Sequence, residues 1–184
     1  MWSLANEPHC YEPSSEKYFS EIAGLTRELD PNRPITIVIC SKPHLSKVAH
    51  LIDVISVNYY FSWYTTPGRL DVLEYQLETV LRKWHELHKK PIFMTEFGAD
   101  TIAGFHNLPS AMYTEEYQEE LLDLNHKVFD KLDFVIGEHP WNFADFATRQ
   151  ICIKALGNKK GVFTRQRQPK AAAHLLRKRW LSIN

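Results

Sequence analysis

The chain has 184 residues, 44% of them hydrophobic, enough for one sizeable core. Its 22 basic and 22 acidic residues cancel, so the molecule as a whole carries no bias toward polyanions. No run approaches the roughly 18 uninterrupted apolar residues of a membrane span, no basic-then-apolar leader opens the sequence, and no Asn-x-Ser/Thr acceptor occurs, which together point to a cytoplasmic protein.

Met1 to Ala5 reads as the end of a strand. It opens directly into an apolar run, so the natural product is expected to extend upstream. Pro13-Ser14-Ser15-Glu16 starts a helix to about Asp30, with Tyr18, Phe19, Ile22 and Leu25 on one face. After the turn Asp30 to Pro34, the β-branched run Ile35 to Cys40 is a buried strand. A short helical or irregular piece spans Pro43 to His50. Asp53 to Asn58 is the third strand and leads into an aromatic loop, Tyr59 to Tyr64. Leu70 to His88 is a helix, with Leu73, Leu77, Val80, Leu81 and Trp84 at helical spacing. Pro91 to Thr95 is the fourth strand, followed by a long loop and a helix begun by Thr114-Glu115-Glu116. Leu132 to Glu138 is the fifth strand, with Pro140 awkward beside it for a central position. A second long loop reaches Gln168, and Pro169 opens the last helix, about Lys170 to Leu181.

Strands alternating with helices specify a parallel sheet. A doubly wound sheet would usually carry a glycine-rich phosphate loop after its first strand. None is present, and Gly157-Asn158-Lys159-Lys160-Gly161 lacks the spacing of a P-loop. Polar and aromatic residues gather after strands one, three, four and five, the arrangement of a (β/α)8 barrel. Five strands are too few to close a barrel, which typically takes about 250 residues. Residues 1–184 are therefore expected to be the C-terminal part of one.

Two glutamates stand out. Glu7 closes the first strand in Asn6-Glu7-Pro8, and Glu96 closes the fourth in Thr95-Glu96-Phe97-Gly98. In a parallel barrel the C-terminal strand ends carry the chemistry, and two carboxylates brought together there are what glycoside hydrolysis requires. After Asp145 the chain has ten basic residues and no acidic one. Such a tail reads as a solvated helix face plus a few cations that hold an anionic ligand, in preference to a nucleic-acid surface. Cys10, Cys40 and Cys152 lack metal-ligand spacing and read as reduced, mostly buried thiols. His85 and His88 do not form a zinc motif, so no metal and no cofactor is expected.

Five stretches in order make the resemblance specific: Met1 to Pro8, Leu29 to Pro34, Thr95 to Ala99, Trp141-Asn142-Phe143-Ala144-Asp145-Phe146, and Gly157 to Arg165. The chain resembles the C-terminal part of the catalytic barrel of the β-glucuronidases of glycoside hydrolase family 2. The resemblance implies barrel strands four to eight. The upstream strands and the β-domains that usually precede them would be missing. It implies a retaining exo-glycosidase acting on β-D-glucuronides, with Glu7 as acid/base and Glu96 as nucleophile. Tyr60 is similar to the family's catalytic tyrosine, and Asn6 to the asparagine that binds the sugar 2-hydroxyl.

Asn158 and Lys160 match the pair taken to contact the uronate carboxylate. Tyr64 and Trp141 match further pocket residues, and Asn58 supports the site. Lys154 stands where many members have arginine, keeping the charge but losing the bidentate fork. The partners implied are glucuronide small molecules or glycan ends, with a homo-oligomeric parent and neither nucleic acid nor membrane. A lysosomal location is the alternative to the cytoplasm. Open alternatives are a β-galacturonidase or β-galactosidase, and a fragment that is catalytically incomplete as it stands.

Overall fold

The computed structural model describes residues 1–151, 154 and 156–183. Nine main elements alternate along it: β1 (Trp2–Asn6), α1 (Pro13–Leu29), β2 (Ile35–Ile39), β3 (Val54–Asn58), α2 (Leu73–His88), β4 (Ile92–Phe97), α3 (Glu115–Asp130), β5 (Val135–Pro140) and α4 (Ala171–Ser182). The strands form one sheet in the order β1-β2-β3-β4-β5. The pairs β1–β2 and β2–β3 are parallel. A strand order that never reverses is the order of a singly wound barrel sheet, whereas a doubly wound sheet turns back at a switch point.

Every residue of β2 and of β3 is buried, as expected where both faces of a parallel sheet are covered. Polar groups inside are paired: the Thr36 hydroxyl donates to the Val54 carbonyl at 2.8 Å and also meets Ser56 Oγ at 2.8 Å. The start of the sheet is fixed by Asp53, which accepts from the Ile35 N–H at 2.8 Å and pairs with Arg27 of α1 at 2.9 Å. Those donors hold its carboxyl below the usual carboxylate range, the Arg27 hydrogen bond foremost.

Several expected boundaries move. The helix expected from Leu70 begins as a 3₁₀ turn, Leu70–Val72, before α2. β4 runs on to Phe97, so Glu96 lies within the strand. The fifth strand starts at Val135, because Leu132 still belongs to the turn that leaves α3. Its N–H bonds the Phe129 carbonyl at 3.1 Å, and its own carbonyl accepts from Val135 at 2.9 Å. Pro140 is the last residue of β5, at an end of the sheet order, where a missing N–H is tolerated. Among the thiols, Cys10 is buried but Cys40 is exposed, against the expectation of burial, and Cys152 lies outside the described residues. No helix among the described residues is long and apolar enough to cross a membrane.

The chain divides into two compact units. The first comprises Met1–Tyr59, Tyr75–Thr95 and Phe129–Glu138. Its core joins Ile35, Ile37, Ile39, Ile55 and Val57 of the sheet to Phe19, Leu77, Leu81 and Trp84 of the helices, all buried. The second comprises Tyr60–Glu74, Glu96–Val128 and the chain from His139 onward. Its core is built on Phe97, Tyr117, Leu121, Val162, Ala172 and Leu176. Two glycines permit its tightest approaches. A Cβ on Gly98, whose φ is +150°, would stand 2.5 Å from the Trp141 carbonyl oxygen, and one on Gly161 would stand 2.2 Å from the Asp145 nitrogen.

Candidate active site

In the first unit, the end of β1 is shaped around Glu7. Pairing with β2 slips between Ser3 and Asn6, where three steps along β1 oppose two along β2. Such a bulge bends a strand and re-aims a side chain. Glu7 then takes φ +51°, a left-handed conformation that a non-glycine residue adopts only when its surroundings impose it. Its N–H bonds the Val38 carbonyl at 2.9 Å, and its side chain is exposed.

Asn58, at the end of β3 and 3% exposed, organises this corner. Its amide N–H₂ donates to Glu7 Oε1 at 2.8 Å and lies 3.3 Å from Asn6 Oδ1. Its own Oδ1 accepts from the Thr95 hydroxyl at 2.7 Å. The Thr95 hydroxyl fixes which way the amide faces, and the amide orients a carboxylate.

In the second unit, Glu96 Oε2 accepts from the Tyr60 hydroxyl at 2.7 Å. Tyr60 is the second residue of the aromatic loop after β3, and its ring lies 5.1 Å from that of Tyr64. Lys160 joins the same group. Its ammonium donates to Tyr64 Oη at 2.8 Å, forms a short ion pair with Asp100, and faces the rings of Tyr60, Trp63 and Tyr64 at 5.7, 5.2 and 4.7 Å. An ammonium against three aromatic faces is a cation–π cage.

The loop that presents Lys160 is tied down at each step. Asn158 Oδ1 accepts the Lys160 N–H at 3.0 Å, so that its amide N–H₂ is the group offered as donor. Asp100 Oδ1 accepts the Lys159 N–H at 2.7 Å. Lys170, buried in the second unit, donates to the carbonyls of Thr101 and Lys159 and to Asp145 Oδ1 at 2.8, 2.9 and 2.9 Å. Burial is the main reason its ammonium sits below the usual lysine range. Two cations of the basic tail, Lys160 and Lys170, are thus engaged inside the protein.

Trp141 is 37% exposed, joined to Asn142 by a cis peptide, and held by its N–H on the Phe97 carbonyl at 2.8 Å. The Lys154 N–H bonds the Ile151 carbonyl at 2.9 Å, and the described contacts do not bring its side chain to the Lys160 cage.

The residues expected from sequence therefore fall into two groups. Asn6, Glu7 and Asn58 share one hydrogen-bonded corner. Glu96, Tyr60, Tyr64 and Lys160 share a second group, with Asn158 beside it. The sequence reading missed Thr95, Asp100, Trp63, Asp145 and Lys170. Thr95 belongs to the Glu96 motif and was within sight. The partners of Asp100 and Asp145 lie in distant loops and leave no local signal.

Carboxylates carried at strand ends of a sequentially ordered α/β sheet are the groundwork of a glycoside-hydrolase barrel. The chain belongs to glycosyl hydrolase family 2, and its residues 1–184 match the family's TIM barrel domain. It is 59% identical over 180 residues to the β-glucuronidase of Paenibacillus borealis, covering 98% of this chain and 30% of that protein. The structure of β-D-glucuronidase from Dictyoglomus thermophilum superposes with a TM-score of 0.98 at 56% identity, over 100% of this chain and 32% of that one. The β-glucuronidase of Ruminococcus gnavus in complex with D-glucuronic acid superposes with a TM-score of 0.92 at 43% identity, over 97% of this chain and 32% of that one. The chain thus spans about a third of the length of these relatives.

Proposed function

We propose that this chain is the C-terminal part, about strands four to eight, of the catalytic barrel of a retaining exo-β-glucuronidase. The observation that carries the reading is the run from Glu96 through Tyr60 and Tyr64 to Lys160: a carboxylate held by a hydroxyl, and beside it a cation in an aromatic cage. Glu96 attacks the anomeric carbon from the face opposite the aglycone while Glu7 protonates the glycosidic oxygen, so that the C–O bond breaks and a glycosyl ester forms. Water then enters, Glu7 takes its proton, and attack at the same carbon releases Glu96 with the β configuration retained. No cofactor takes part.

Asn58 supports the role of Glu7 by fixing its carboxyl, and Asn6 hydrogen-bonds the sugar 2-hydroxyl. The Tyr60 hydroxyl orients Glu96 for attack. Trp141 lines the sugar face. Lys160, the Asn158 amide and the Tyr64 hydroxyl bind the uronate carboxylate, with Lys154 at the pocket's margin. The complex of the Ruminococcus gnavus enzyme with D-glucuronic acid supports a uronate as the sugar. A galacturonide carries the same carboxylate and is the nearest competing substrate.

The test uses the natural full-length protein. Glu96→Ala abolishes turnover, and azide restores part of it as the inverted α-glycosyl azide. Glu7→Ala slows poor leaving groups more than activated aryl ones, and azide gives the retained β-azide. Exchanged stereochemistry would reverse the two roles. Lys160→Ala lowers kcat/KM on an aryl glucuronide about ten- to hundredfold, the worth of one charge-assisted hydrogen bond, with much less effect on the matching glucoside. Equal losses on both would return the assignment to an unspecified family 2 glycosidase.

A further inference from the structure

We infer that Asp100 is a specificity-determining residue: it is the built-in counter-ion of Lys160 and moderates the pull of that ammonium on a uronate. This rests on the reading of Lys160 as the uronate contact. Both side chains are 2% exposed as residues, and the carboxylate pairs directly with the ammonium. A buried ammonium without a partner is strongly unfavourable. The three ring faces around Lys160 and its hydrogen bond to Tyr64 Oη at 2.8 Å offset part of that cost, and Asp100 supplies the one opposite charge paired with it.

Asp100 is not placed by Lys160 alone. Its other oxygen accepts the Lys159 N–H at 2.7 Å, so the carboxylate is fixed to the backbone of the same loop. Gln118 Nε2 donates to the carbonyls of Ala99 and Lys160 at 3.1 and 3.2 Å, tying the two partners' main chains together. The neighbouring Lys159 ammonium is turned toward Asp145, 3.8 Å away.

Lys160 is therefore already balanced before any ligand binds. A uronate reaching it sets a second carboxylate against one ammonium, and the two like charges oppose each other. The loop stays formed without substrate, and in exchange the site gains less from an anionic ligand than a lone lysine would. The discrimination between uronate and neutral sugar is set by Asp100 together with Lys160.

The experiment measures binding to the full-length protein of two sugar lactams, identical except that one bears a carboxylate at C5 and the other a hydroxymethyl group. Asp100→Asn keeps an acceptor for the Lys159 N–H and removes the charge. It raises the preference for the carboxylate lactam about tenfold, while affinity for the neutral lactam stays the same. A merely structural role would weaken both ligands alike or lower the preference; either result, or an unchanged ratio, overturns the inference. Should Asp100→Asn fail to fold, the double variant Asp100→Asn/Lys160→Gln decides. Recovery of the fold shows that uncompensated Lys160 was the fault, and persistent failure overturns the proposal. Lys160→Ala separates the two levels. Loss of the carboxylate preference there, with no gain in Asp100→Asn, sinks only the role of Asp100. Equal binding changes for both lactams in Lys160→Ala sink the uronate reading itself.

Discussion

At Asn58 one amide serves three neighbours: it donates toward Glu7 and Asn6 and accepts from Thr95, all within 3.3 Å. Removing it leaves the Glu7 carboxyl free to rotate at a strand end already bent by a bulge. Asn58→Ala is expected to lower kcat about a hundredfold, the effect of misplacing a reacting group by about 1 Å, with little change in KM. Thr95→Val, which frees the amide to flip and also removes a hydrogen bond to the Val57 carbonyl at 3.0 Å, has a smaller effect of the same kind. Steady-state kinetics on an aryl glucuronide check both. Cys10 gives a second residue-scale prediction, through pH. Burial first, and then the nearby Cys40, pushes its thiol up from 9.0 to about 11. Between those values the unfolded chain loses a proton that the native state keeps. The contribution is whole below pH 9.0 and is lost as pH rises through about 11. The gap corresponds to up to about 2.7 kcal/mol. Denaturant unfolding at several pH values should show that decline in the natural sequence and a flatter curve in Cys10→Ala.

The loops that follow β4 and β5 meet at Gly98, where no side chain fits against the Trp141 carbonyl. Gly98→Ala adds a Cβ 2.5 Å from that oxygen at a φ that only glycine adopts readily. The expected cost is about 1–3 kcal/mol, the range of overpacked sites, together with lost turnover as Trp141 shifts. Thermal melting and kinetics read the two effects. At this scale much of the architecture was visible in advance, because it rests on local signals. The uninterrupted apolar runs of β2 and β3 mark strands buried on both faces. Pro13 and Thr114 mark helix starts, the latter because its hydroxyl accepts the Tyr117 N–H at 3.2 Å. The site residues were visible where they share a short motif, as Asn6 with Glu7, or Glu96 with Gly98. Asp100 and Lys170 were not. Their partners, Lys160 and Asp145, lie 60 and 25 residues away, so each pair is a tertiary fact, and each member alone looks like a solvated charge. The bulge before Glu7 was likewise invisible, since it arises from pairing with β2 and from no composition of β1 itself.

Across the whole sheet, burial is uneven in a telling way. β2 and β3 are buried throughout, while β1 and β5, the two ends of the strand order, are only partly covered. Trp2 of β1 is 48% exposed. An end strand presents unpaired N–H and C=O groups along one side, which in a closed barrel find the next strand. The family match is to a barrel domain, and relatives of this chain are about three times its length. We therefore propose that further strands of the natural protein pair with β1 and β5. The expected consequence is that residues 1–184 produced alone lack turnover on an aryl glucuronide and associate through their open edges, whereas the full-length protein turns over and remains a defined oligomer. Light scattering across a concentration series and an activity assay distinguish the two. Supplying the upstream portion in trans should suppress the association and recover activity together, because one event, pairing at β1 and β5, underlies both. Full activity from residues 1–184 by themselves would show that the described strands suffice and that the exposed edges are not where the rest of the barrel joins.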